Sequence, residues 1–87
     1  MRIAVLYRTN SEHERQVTDF ERDFQSRTGR SVELLDVNTV EGDAMARTYD
    51  ILRYPTVLAI ANDGNLLQMW QGDYMPLINE VSYYTQS

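Results

Sequence analysis

A proline stands directly in front of an apolar run that reads as a core strand. Residues 54–60 are Tyr-Pro-Thr-Val-Leu-Ala-Ile. Four consecutive apolar residues after a threonine predict a buried strand. Proline has no N–H to give to a sheet ladder, so Pro55 must sit at the mouth of that strand and not within it. The residue before a proline avoids the helical region, so any helix upstream must stop by Tyr54. The chain is therefore required to turn sharply from a helix into a buried strand at this point.

The rest of the chain has to supply partners for that strand. Eighty-seven residues suit a single domain over 1–87. A chain of this size buries roughly 60% of its unfolded surface, enough for one modest core. Arg2 to Tyr7 is a short apolar run with β-branched and aromatic members, the signature of a buried strand. Ser11-Glu12-His13-Glu14 fits the capping box Ser-x-x-Glu, which predicts a helix from about Glu12 to Thr28. Val17, Phe20 and Phe24 recur on one face of it, with His13 a turn earlier. Arg15 with Asp19, and Asp23 with Arg27, are spaced to pair on the exposed side. Gly29 suits the helix end.

Ser31 to Val37 predicts a second strand, parallel to the first through a right-handed crossover. Asn38 to Gly42 reads as a loop. Asp43 is placed to cap a second helix from Ala44 to about Leu52, burying Met45, Tyr49 and Leu52. Thr56 to Ala61 is the third strand. Asn62-Asp63-Gly64-Asn65 is a hairpin signal, and Leu66 to Gln71 is the fourth strand. Pro76 suits the first turn of a last helix whose apolar face is Leu77, Ile78, Val81 and Tyr84. The predicted order is βαβαββα: an α/β fold with a four-stranded mixed sheet flanked by helices on both faces.

Composition removes whole classes of chemistry. The chain has no cysteine, so disulfides, thiolate catalysis and thiolate metal sites are excluded together. One histidine, His13, is too few for a His-rich metal site. The net charge is −5 and all eight basic residues are arginine, with no basic cluster, which argues against nucleic acid as a partner. No stretch reaches the roughly 20 apolar residues of a membrane span, and the N-terminal apolar run is too short for a signal peptide. The expected location is cytoplasmic.

Taken together, the element order, the stretch Tyr49-Asp50-Ile51-Leu52-Arg53-Tyr54-Pro55-Thr56 and the downstream hairpin with Gly72 resemble the thioredoxin superfamily. The resemblance covers essentially the whole chain, at the size of the minimal, glutaredoxin-like core. It implies a cis Tyr54–Pro55 bond and an extended-peptide or glutathione groove beside it. Carried over by position, the groove would comprise Ser11, Arg53, Tyr54, Pro55, Thr56, Gly72 and Asp73. Thioredoxins carry Cys-Gly-Pro-Cys where this chain has Ser11-Glu12-His13-Glu14. Asn10 replaces the tryptophan before that motif, and Val5 stands where the family has a buried aspartate. The resemblance therefore implies the fold without the redox chemistry.

Serine, histidine and a carboxylate in this segment also invite a hydrolytic reading. Ser11 and His13 are two apart at a helix start and point different ways, so no catalytic residue is assigned. No cofactor and no metal are called for, and no thiol–disulfide oxidoreductase activity is expected. The preferred function is a redox-inactive module that binds a protein or peptide through the proline groove. The alternatives are a glutathione-type small-molecule site or enzyme fragment without cysteine, with Tyr7 and Ser11 matching loosely, and a structural subunit assembling as a homodimer through strand four. Tyr54 and Tyr74 are candidates to grip a peptide, and Trp70 to contact a partner at an open edge. A cysteine-free clock-protein fold would also fit the element order, but the Asn-Asp-Gly hairpin and Gly72 favour the thioredoxin resemblance.

Overall fold

A computed structural model of the chain describes residues 1–72 and 75–85. Strands β1 (Arg2–Tyr7), β2 (Glu33–Asp36), β3 (Thr56–Ile60) and β4 (Leu66–Gln71) form one sheet in the order β2-β1-β3-β4. β1 pairs parallel with β2 and antiparallel with β3, and β4 pairs antiparallel with β3. Helices α1 (Glu14–Thr28), α2 (Val40–Thr48) and α3 (Ile78–Ser82) connect and close it, followed by a single 3-10 turn over Tyr83–Thr85.

The alternation of side chains along β1 and β3 sends them to two cores. Ile3, Val5, Val57 and Ala59 pack with Val17, Phe20 and Phe24 of α1 and Val81 of α3. Leu6, Leu58 and Ile60 pack on the opposite face with Ile51 and, at its margin, Met45 and Ala46 of α2. All five residues of β3 are buried, as a central strand covered on both sides must be. The rings of Phe20 and Phe24 lie 5.7 Å apart in the first core. Truncating the fully buried Phe24 to alanine costs about 3–5 kcal/mol.

Several boundaries differ from the sequence pattern. β2 starts at Glu33, although Val32 before it is buried. α2 begins at Val40, and its cap is Thr39, not Asp43. The Thr39 hydroxyl accepts the Gly42 N–H at 3.1 Å and donates to the Asp36 carbonyl at 2.6 Å. Asp43 instead pairs with Arg47 along the helix at 3.0 Å. Gly42, which reads as a loop residue, is inside the helix because α2 approaches the β2 backbone closely there. A Cβ at Gly42 would stand 2.0 Å from the Asp36 carbonyl oxygen.

α2 ends at Thr48, and Leu52 lies beyond it, 86% exposed, while its neighbour Ile51 takes the buried place. Leu77 is likewise exposed, and the last helix starts after it. Arg15 reaches Asp19 at 4.0 Å as spaced, but Asp23 meets Arg22 at 3.4 Å and not Arg27. Gly29 does close α1, with a φ of 73°.

Candidate functional site

Tyr7 at the end of β1 pairs with Asp36 at the end of β2, and Leu6 pairs with Thr56 at the start of β3. The β1–α1 turn, the start of α2 and the proline loop therefore gather at one end of the sheet. The Tyr54–Pro55 peptide bond is cis. Pro55 and Thr56 are buried, and the Thr56 hydroxyl donates to the Arg53 carbonyl, which ties the loop into a tight turn.

Opposite this loop, the capping box predicted at Ser11 is built differently. The residue preceding α1 is His13, which makes no side-chain cap. The Ser11 hydroxyl donates to the Arg8 carbonyl, so it is not available to the helix N–H groups. Glu14 reaches back to the N–H of Asn10 at 3.1 Å, one residue before the serine. His13 Nε2 accepts the Arg8 N–H at 3.1 Å. Asn10 has a φ of 61°, a left-handed conformation that asparagine tolerates better than most residues. Arg8 is thus held at its N–H by His13 and at its carbonyl by Ser11. Its guanidinium carbon lies 5.4 Å from the centre of the Tyr54 ring, a cation–π contact that links the turn to the proline loop.

A cleft of ≈ 270 Å³ runs between these segments, lined by Glu12, His13, Gln16, Tyr54 and Pro55. A second cleft of ≈ 600 Å³ lies toward β4 and is lined by Arg53, Met69, Trp70, Gln71, Gly72, Pro76 and Glu80. The structure thus puts Tyr54 and Pro55 in one cleft, and Arg53 and Gly72 in the other. Thr56 is buried beneath the loop, Ser11 faces Arg8, and Asp73 and Tyr74 lie outside the described residues. His13 and Gln16, three apart at a helix start, share a side, a spacing that could have marked them as the opposite wall.

The electrostatics favour fixed, non-reactive groups. Burial and the nearby Glu14, Asp36 and Glu21 carboxylates push the Tyr7 phenol above its ordinary range, so Tyr7 stays neutral. Asp36 is held below the usual carboxylate value by the Asn38 N–H at 2.9 Å and the Thr9 hydroxyl at 2.7 Å. Trp70 is half-buried, its ring 5.6 Å from that of Tyr84 and edge-on to it. Among the described residues, no group of three or more His, Asp or Glu side chains is placed to hold a metal ion. No described helix is long and apolar enough to cross a membrane.

This sheet order, with two helices on one face, one on the other and a proline at the mouth of β3, defines a thioredoxin-like fold without cysteine. Thioredoxin 1 from Thermosipho africanus is similar over 99% of this chain and 91% of its own, with a TM-score of 0.70 and 14% identity. A malarial protein is similar over 97% of this chain and 91% of its own, with a TM-score of 0.63 and 18% identity. No protein-family model and no curated protein matches the chain.

Proposed function

We propose that the chain is a redox-inactive, thioredoxin-like binding module that holds an extended segment of a partner protein along the Tyr54–Pro55 cleft. The observation that carries this reading is the opposition of the Tyr54–Pro55 loop to Glu12, His13 and Gln16 across an open cleft. An aromatic ring beside polar hydrogen-bonding groups suits a peptide, whose side chains need apolar contact and whose backbone needs donors and acceptors. Without cysteine the same cleft has no thiol with which to turn a bound peptide over.

The test is a heteronuclear amide titration with peptides selected from a displayed random library. Binding peptides should shift the amides of His13, Gln16, Tyr54 and Thr56, and Tyr54→Ala should weaken them at least about tenfold, as loss of an interface anchor does. Peptides that bind while leaving those amides unmoved would overturn the assignment. Reduced glutathione at millimolar concentration is the second probe. Shifts at Tyr54 and Thr56 with glutathione alone would move the reading to a small-molecule site.

A further inference from the structure

We propose that His13 is a proton-operated latch on the wall of the Tyr54–Pro55 cleft: as a neutral imidazole it holds the β1–α1 turn closed, and as an imidazolium it releases that turn. The proposal concerns the turn and stands whatever occupies the cleft.

The latch is one hydrogen bond of fixed polarity. The Arg8 N–H donates to His13 Nε2 at 3.1 Å. An imidazole nitrogen accepts only while it carries no proton, so the ring is neutral and its one N–H is at Nδ1. Protonation places a hydrogen on both nitrogens. Nε2–H then faces the Arg8 N–H, donor against donor, and the bond is lost. The loss depends on valence alone, wherever on the pH scale the proton is taken up. Histidine is the side chain that ordinarily takes one up between about pH 8 and about pH 5. His13 is the one histidine of the chain.

What the bond holds gives it reach. The Arg8 carbonyl accepts from the Ser11 hydroxyl, and the Arg8 guanidinium lies over the Tyr54 ring. Of these attachments only the one to His13 is switched by a proton in the histidine range. The segment it closes passes through Asn10, whose φ of 61° is a conformation that the surrounding bonds must maintain. His13 is half-buried and lines the cleft with Glu12, Gln16, Tyr54 and Pro55, so a ring that leaves Arg8 moves within the cleft. Release therefore alters both walls: the imidazole on one, and the Tyr54 ring beneath Arg8 on the other.

The surrounding charges supply a second position for the ring. On its own segment the titratable groups are Glu12 and Glu14. Glu14 is engaged by the Asn10 N–H at 3.1 Å. Glu12 lines the cleft and, among the described residues, takes part in no ion pair. The turn contributes Arg8, and the proline loop contributes Tyr54. A positive ring has the sign of Arg8 and of the N-terminal end of the α1 dipole, and the opposite sign to Glu12. It is drawn from the backbone of Arg8 toward that carboxylate. The groups at the strand ends do not titrate with it: Asp36, bonded to Thr9, is held below its ordinary 3.8, and Tyr7 is raised above its ordinary 10.0.

Nitrogen-15 spectra of the amides and the imidazole, recorded on the free chain from about pH 8 to about pH 5, test the latch. With a single histidine the imidazole signals need no assignment. At about pH 8, Nε2 should read as the unprotonated nitrogen. As the pH falls, the Arg8 amide proton should shift upfield and the Tyr54 ring signals should move, both with the midpoint of the His13 titration. On the acid side the Arg8 amide should exchange at least about tenfold faster relative to an unstructured peptide. His13→Gln keeps a neutral acceptor and should remove the pH dependence at Arg8 and Tyr54. A ring protonated at Nε2 at about pH 8 overturns the proposal. So does an Arg8 amide that keeps its shift through the His13 titration, or one that still titrates in His13→Gln.

Discussion

Two helices start at the same end of the sheet, α1 after β1 and α2 after β2, and different chemistry seats them. α2 rests backbone against backbone. Thr39 caps it, and Gly42 lies so close to the Asp36 carbonyl that a methyl group has no place. α1 is held by side chains that reach back to the preceding turn: His13 and Ser11 to Arg8, and Glu14 to Asn10. A backbone seat admits almost no substitution. A side-chain hook at a solvated turn can be exchanged for another hook or for water. The resemblance places the redox cysteines of thioredoxins at the exchangeable start, which is where this chain differs from them while the sheet stays intact.

The largest expected effect tests the rigid seat. Gly42→Ala drives a Cβ into the Asp36 carbonyl, and relief requires moving α2 or the end of β2. The expected loss is about 3 kcal/mol, the upper part of the overpacking range, read as the midpoint of urea unfolding. An unchanged midpoint would remove the distinction between the two helix starts. Thr39→Ala follows at about 1 kcal/mol, because it takes the acceptor from the Gly42 N–H and the donor from the Asp36 carbonyl. Thr39→Ser should recover most of that loss.

The exchangeable start should give smaller numbers. His13→Ala and Ser11→Ala each remove one hydrogen bond to Arg8 at a partly exposed turn, for about 0.5–1 kcal/mol apiece. If either costs more than Thr39→Ala, the hooks are the stronger anchor and the comparison reverses. The indole fluorescence of Trp70, two strands across the sheet from β1 and packed against Tyr84, should be unchanged in both variants.

The same contrast explains what could be read from the sequence. Strand periodicity, the hairpin and the position of Pro55 are local signals, and β1, β3, β4 and α1 follow from them nearly residue for residue. Gly42 is not a local signal. In isolation it reads as a loop breaker, and only the approach of α2 to β2 makes glycine necessary there, so the local pattern starts α2 four residues late and places Leu52 in a core it does not enter. The capping box failed for a related reason, since Ser11 has two candidate partners and its choice of the Arg8 carbonyl depends on the left-handed turn at Asn10. Of the cleft, Tyr54 and Pro55 enter the sequence reading only through the family resemblance, while proline itself dictates no more than the turn before β3. Glu12, His13 and Gln16 are not legible as its other side, because a wall exists only once the opposite wall is placed.

Asp36 joins the two helix starts and provides the finest test between them. One carboxylate oxygen accepts the Thr9 hydroxyl from the β1–α1 turn, the other accepts the Asn38 N–H, and its carbonyl takes Thr39. These bonds favour the ionised form, so the folded chain holds this proton less tightly than the unfolded chain, whose ordinary value is 3.8. The folded state therefore gains from Asp36 at all pH values above that figure and loses the gain as pH falls through the lower, folded value. Glu33, lowered chiefly by its paired bonds to Arg2 at the far end of the strands, contributes with the same sign, its loss beginning from its own higher ordinary value of 4.5. Asp36→Asn should thus flatten part of the acid limb of a stability–pH curve below about pH 4 while leaving the Glu33 part. In amide exchange at that pH, wild-type opening should appear first in the Thr9–Ser11 turn, whose bond to Asp36 is between two side chains, and later at Gly42. Simultaneous opening at both places would mean that the two helix starts form one cooperative unit, with Asp36 as the joint between them.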